Sequence, residues 1–269
     1  MNTAEPKPLI LVPCDFSPLA FYAMEHGANM SKAMKCHMAI LHVVARENET
    51  QAMTRKMHFV AEDCFVKFDV RPDVIVRQGN KPYPVIKEVT NEISPLLVIL
   101  KTDGGVNTIK ILTGTSTPFL VIQGEPKRNV IDNISFPINF LLKNEEKLKR
   151  LLHFNEYFPN AVMHIITPSG KGMGKERLVS GNISITKKVL DNQGVKTNFI
   201  THDKSKNTAE VILELSKDMD MIVIQIEEAT WLNKFLFGLR EEKLIINADK
   251  IPILCFNDET DLKLIESNS

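Results

Sequence analysis

The chain has 269 residues, with 33 Lys and Arg against 33 Asp and Glu, so its formal net charge is zero and its sequence pI is near 7.1. That balance supplies no global field for nucleic acid or an anionic membrane, and argues against both as partners. The apolar runs, such as 96–100, fall far short of the ~20 residues of a membrane-spanning helix, and the Met1 end has no charged-then-apolar signal region; a cytoplasmic protein is expected.

In chain order, residues 8–13 are an almost wholly apolar run. Ser17 then caps a helix that carries Leu19, Ala23, Met24, Gly27 and 30–34 at helical spacing. Residues 37–44 predict a strand, 47–68 a helix, the β-branched stretch 73–77 a strand, 82–93 a helix, 96–100 a strand, and a short helix leads to a strand at 119–122. The order then starts again: strand 134–137, helix 141–158, strand 162–166, helix 175–192, strand 196–201, helix 209–219, strand 221–225, helix 231–247 and strand 251–256. Strands apolar on both faces, alternating with amphipathic helices, require a parallel sheet covered on both sides. The α/β domains expected are 1–124 and 134–258, with 125–133, which is polar and contains Pro126, as linker and 259–269 as a fraying acidic tail.

The recurrence extends to residues. Val12-Pro13-Cys14-Asp15-Phe16 is matched 124 residues later by Phe136-Pro137-Ile138-Asn139-Phe140. Residues 40–44 are matched at a spacing of 122 by 162–166, which sets His42 opposite His164; 97–99 are matched at 125 by 222–224; and 117–121 at 134 by 251–255. On that reckoning nine residues are missing from the first copy just before its last strand. Ligands of such sheets sit beyond the carboxyl ends of the strands where the strand order reverses, so the segments after the first and fourth strands of each copy are the ones to examine.

Ile10-Leu11-Val12-Pro13-Cys14-Asp15-Phe16-Ser17, a helix, and Ile40-Leu41-His42-Val43 together resemble the start of a universal stress protein domain. Gly79 before a helix, with Thr117-Pro118-Phe119-Leu120-Val121 and Ile251-Pro252-Ile253-Leu254-Cys255, fits the later strands of that family, and the ordered set occurring twice resembles its tandem form. The resemblance implies two five-stranded parallel-sheet domains, Rossmann-type and adenine nucleotide alpha hydrolase-like. It also implies pairing through the last strands, here 119–122 with 253–256, as an intrachain pseudo-dimer that buries both edges; a homodimer is left open.

Some members of that family bind ATP and some do not. In the branch that does, an Asp after the first strand meets the adenine, and a G-x2-G-x9-G-[ST] loop after the fourth strand lets backbone N–H groups reach the phosphates. By that resemblance the nucleotide site of copy one comprises Pro13, Cys14, Asp15, Val43, Thr102, Gly104 and Gly105, with ATP or AMP as ligand. Gly104 stands ten residues before Gly114-Thr115, but alignment from the last strand sets it opposite Gly238, so the shortfall lies inside the phosphate loop. Copy two has a full-length loop with other defects: Asn139 replaces the Asp, Gln225 and Glu228 stand where the first two glycines belong, and Leu239 follows Gly238 in place of a hydroxyl. Glu227 and Glu228 would also repel a triphosphate. The vacated cleft of copy two, at Ile138, Asn139, Gln225 and Gly238, suits a different small apolar or anionic ligand.

Each of these residues has a plainer reading. Asp15 could cap the following helix near Ser17, and Gly104-Gly105 could be a turn. His42 and His164 read as packed strand residues with a ring nitrogen on backbone. Cys14, Cys36, Cys64 and Cys255 lack C-x-x-C spacing and read as free thiols, Cys14 being made less reactive by the carboxylate beside it. Ser169-Gly170-Lys171-Gly172-Met173-Gly174-Lys175 departs from Walker A and reads as a flexible strand-to-helix loop whose lysines could meet an anion. Residues 143–150 read as a solvated helix face, and Trp231, Phe235 and Phe237 as core or as a surface for a protein partner. Neither a nucleophile triad nor a metal spacing is suggested, so an enzyme is not indicated. The expected function is a stress-response binding or regulatory module with degenerate nucleotide loops and an unidentified protein partner. The alternatives are an ATP/AMP sensor or slow ATP hydrolase in copy one, and a binder of another small ligand in copy two.

Overall fold

The structure, a computed structural model, describes residues 8–102, 115–141, 145–203, 208–226 and 244–257. Gly104, Gly105, Gly114, Glu227, Glu228, Trp231, Phe235, Phe237, Gly238 and Leu239 lie outside these. The chain divides into two compact units, Met1–Pro126 with Cys255–Ser269, and Lys127–Leu254.

In the first unit β1 (Leu9–Pro13), α1 (Pro18–Met34), β2 (His37–Val44), a 3-10 turn (Glu47–Glu49), α2 (Thr50–Phe68), β3 (Asp73–Gln78), α3 (Pro82–Ile93), β4 (Leu97–Lys101) and β5 (Phe119–Ile122) follow one another. The strand order is β3-β2-β1-β4-β5, with every pairing parallel. Ile10, Leu11, Val12, Val98 and Ile99 are fully buried, as strands sandwiched between helix layers must be, which is why their sequences run apolar without alternation. Helix α1 starts where Ser17 Oγ accepts the Ala20 N–H at 3.3 Å and Pro18 fixes the first turn. It stops at Lys35, which takes the left-handed conformation at φ 51°.

The second unit contains β6 (Asn133–Pro137), α4 (Glu145–Tyr157), β7 (Val162–Pro168), α5 (Met173–Asn192), β8 (Thr197–His202), α6 (Thr208–Leu215) and β9 (Met221–Ile226), and β10 (Ile253–Asn257) begins at its end. Its order is β10-β9-β6-β7-β8. Ser216, just after α6, donates from Oγ to Ser135 Oγ of β6 at 2.8 Å, with both residues fully buried. Removing one partner strands the other hydroxyl away from water. Ser135→Ala is therefore expected to destabilise by about 1–3 kcal/mol and Ser135→Ala/Ser216→Ala by distinctly less; a urea-unfolding cycle in which the double variant is the weaker would refute this.

Strand register corrects two of the sequence alignments. Ile10 pairs with Met38 and Leu97, and Ile134, its counterpart, pairs with Met163 and Met221. The repeat is therefore 124 residues at the first strands, 125 at the second and 124 at the fourth. His42 corresponds to Thr167, and His164 lies three positions earlier in β7, an odd shift that reverses the face of the sheet. The ring of His164 meets the side chains of Asn133 (3.0 Å) and Asn198 (3.2 Å), not backbone. Likewise Leu97 corresponds to Met221, not Ile222. Val98 N–H bonds to Pro118 O at 3.0 Å and Ile222 N–H to Pro252 O at 2.9 Å, which keeps the final spacing at 134. The length difference before the last strand is thus ten residues, not nine. A run such as 38–41 or 162–166 is apolar at nearly every position, so sliding it by a few residues leaves the hydrophobic match intact; only the ladder hydrogen bonds choose.

One surface reading also changes. Arg150, placed on a solvated face, is buried on α4. In the 169–175 loop Ser169 N–H bonds to His202 O at 2.8 Å, and Gly172 O accepts from Lys175 N–H at 3.0 Å as α5 begins. A Cβ on Gly170 would sit 2.4 Å from the Lys175 carbonyl carbon, so glycine there permits a backbone approach.

Candidate functional site

In the first unit the strand order reverses between β1 and β4, so the chain leaves these two strands in opposite directions and opens a crevice at their carboxyl ends. A cavity of about 230 Å³ lies there. Pro13, Cys14 and Asp15 reach it from the end of β1, Leu41, His42 and Val43 from β2, and Leu100 and Lys101 from β4. Leu19 of α1 and Pro82, Tyr83 and Ile86 of α3 complete the lining.

The turn after β1 is set by backbone bonds. Cys14 N–H continues the ladder to Leu41 O at 2.7 Å, and Cys14 O accepts from His42 Nδ1 at 2.7 Å, which puts the imidazole proton on that nitrogen. Asp15 Oδ1 accepts from Ser17 N–H at 3.1 Å. Phe16 takes a left-handed φ of 62°, uncommon for a bulky residue, and its ring lies 4.8 Å from that of His42 with Lys56 Nζ 3.9 Å above its centre. From β4, Lys101 Nζ donates to Asp15 Oδ2 and, at 2.8 Å, to Ser17 Oγ.

Burial pushes the Asp15 carboxyl upward, but hydrogen bonds from Lys101 and Ser17, with the Lys101 charge, outweigh it and hold the group below the ordinary carboxylate value. Asp15 is therefore ionised at neutral pH, and its side chain is 55% exposed. The helix cap is Ser17's, so Asp15 is left to face the cavity and Lys101. Burial pushes the Cys14 thiol up, opposed by the Phe16 backbone bond and raised further by Asp15, with Lys101 and Lys56 pulling the other way. The net direction keeps it protonated and a poor nucleophile.

Of the residues named for copy one, Pro13, Cys14, Asp15 and Val43 thus converge on one cavity. Thr102, the residue after Lys101, is not in the lining; it is buried, its N–H bonded to Ile122 O at 2.9 Å, and Gly104 and Gly105 lie outside the described residues. Lys101 was missed. The signal for it was its register: Lys101 occupies in β4 the place of Gln225 in β9, where a phosphate-loop glycine is expected from the resemblance.

The second unit repeats the turn without its charges. Ile138 N–H bonds to Ile166 O at 2.9 Å and Asn139 Oδ1 accepts from Leu141 N–H at 3.1 Å, as Cys14 and Asp15 do. Ile138 is buried, and so is Phe140, which stacks on Phe199 at 6.4 Å and receives the Asn182 amide on its carbonyl at 2.8 Å. Gln225 is half-buried at the end of β9, and Gly238 is outside the described residues. The ion-paired Asp15 and Lys101 are thus replaced together, by Asn139 and Gln225.

Among solved structures, the chain is similar to a universal stress protein from Archaeoglobus fulgidus DSM 4304, with a TM-score of 0.68 and 14% identity over 93% of this chain and 96% of the other. It is also similar to a putative universal stress protein from Pseudomonas aeruginosa UCBPP-PA14, with a TM-score of 0.66 and 15% identity over 97% of each chain. The chain has the fold of the universal stress proteins. A functionally unknown protein from Pseudomonas aeruginosa PAO1 shares it at a TM-score of 0.66 and 14% identity, over 97% of this chain and 96% of that one. No protein-family model matches the chain, and no curated protein does. The universal stress protein fold therefore accounts for the crevice, while its chemistry rests on the side chains above. Among the described residues no group of three or more His, Cys, Asp and Glu could hold a metal ion, and no helix is long and apolar enough to cross a membrane.

Proposed function

We propose that the chain is a stress-response binding module of the cytoplasm whose first unit takes an adenosine-based nucleotide at the carboxyl ends of β1, β2 and β4, without turning it over. The observation that carries this is the convergence of Asp15, held ionised, with Val43, Leu100 and Tyr83 on a single cavity at the strand-order switch. A carboxylate has about four acceptor positions. The Ser17 N–H, the Ser17 hydroxyl and Lys101 occupy three, which leaves one for the amino edge of a purine. At about 230 Å³ the cavity is below the roughly 300–1,000 Å³ typical of drug-sized pockets, and the loop that would follow β4 is ten residues shorter than its counterpart. Both favour a base and sugar with little phosphate over a triphosphate. Calorimetry with AMP and ATP on the full chain should give saturable AMP binding, weakened at least tenfold by Asp15→Ala. The absence of AMP binding up to millimolar ligand would discard the reading.

A second reading, a partner-binding module with no nucleotide, is favoured by the same short loop and by the loss of Asp15 and Lys101 equivalents in the second unit.

A further inference from the structure

We infer that Lys101 is a specificity residue of the first unit, selecting a ligand with one anionic group, a nucleoside monophosphate, over the uncharged nucleoside; this rests on the nucleotide reading above. An ammonium group has three donors. Lys101 directs one to Asp15 Oδ2 and one to Ser17 Oγ, and its side chain, 31% exposed, lines the cavity; by count one donor is left for a ligand. Asp15 is thereby neutralised and positioned, so it does not repel an incoming anion. A second cation stands behind the cavity wall: Lys56 Nζ lies 3.9 Å from the centre of the Phe16 ring, which packs on His42 of the lining. The turn after β1 therefore has two ammonium groups, on Lys101 and Lys56, near the one carboxylate of Asp15 among these residues, and an anion arriving there completes the balance. In the second unit Asn139 and Gln225 occupy the two positions of the ion pair, so the pair is present or absent as a unit, as expected if Lys101 and Asp15 serve one task.

The test compares adenosine and AMP by calorimetry on the full-length wild type and on Lys101→Gln, which installs the residue that the second unit tolerates at the same register. A charge-assisted hydrogen bond predicts that wild type prefers AMP over adenosine by about tenfold or more, and that Lys101→Gln brings the two within about twofold. The wild-type ratio is informative even without the variant: equal affinities for the two ligands overturn the inference, as does an AMP preference that survives in Lys101→Gln. Binding of neither ligand to wild type overturns the nucleotide reading itself, an outcome distinct from adenosine binding without a preference for AMP.

Discussion

Gly27→Val should destabilise the first unit by about 3 kcal/mol, the upper part of the usual range for overpacking, and lower its melting temperature by roughly 10 °C. Gly27 lies on the face of α1 that rests on the sheet. A Cβ there would sit 2.8 Å from Met38 Sδ, 2.8 Å from Val12 Cγ2 and 3.6 Å from Ile99 Cδ1. Val12 and Ile99 are fully buried and Met38 is 1% exposed, and Val12, being β-branched, has little rotamer freedom with which to retreat. The helix must then lift away from β1, and that movement reaches the cavity, because Leu19 of α1 and Pro13 of β1 both line it. Gly27→Ala should be milder, since relief of the glycine penalty in a helix interior returns about 1 kcal/mol. Thermal melts followed by far-ultraviolet circular dichroism measure both; a valine variant melting within 2 °C of wild type would show that the helix–sheet contact is looser than described.

The second large effect is a loss of stability in acid traceable to His26. This residue of α1 is 7% exposed and its Nε2 meets Gly124 O at 3.2 Å. Burial, only partly offset by that bond, lowers its pKa to about 4 from an ordinary value of 6.5. The unfolded chain therefore takes up a proton near pH 6.5 that the folded chain resists until about pH 4. Stability is unaffected by this group above pH 6.5, declines between 6.5 and 4, and is fully reduced below 4. At about 1.4 kcal/mol for each pH unit of separation, the loss between pH 7.5 and 4.5 is about 2.5 kcal/mol. Urea unfolding at the two pH values should show wild type losing about that much more than His26→Gln. Equal losses would mean that His26 accepts its proton in the folded state.

Much of the architecture was legible because each strand of a doubly covered sheet is a short apolar run and some helices open on recognisable punctuation. Ser17 before Pro18 marks the start of α1, and Pro82 and Ile93 bound α3 as expected. Asp15 and its neighbours were legible because a ligand crevice lies beyond the carboxyl ends of strands, and the chain positions that end β1 and β2 can be counted. Lys101 was not legible for the same reason that His42 and His164 were wrongly matched. Whether a residue at the end of β4 reaches across to β1 depends on register, and uniformly apolar strands carry almost no information about register.

What the amino-acid sequence by itself determined is the duplication, the alternation of strand and helix, and a carboxylate after the first strand that the second copy lacks. These follow from local pattern: periodicity, turn residues and the identity of one side chain. The tertiary structure alone decided that Asp15 is paired with Lys101 from a strand 86 positions away, and that the length difference before the last strand is ten residues. Each of these depends on which ladder hydrogen bonds form between segments distant in the chain, and such bonds are selected by the packing of the whole sheet rather than by either segment alone.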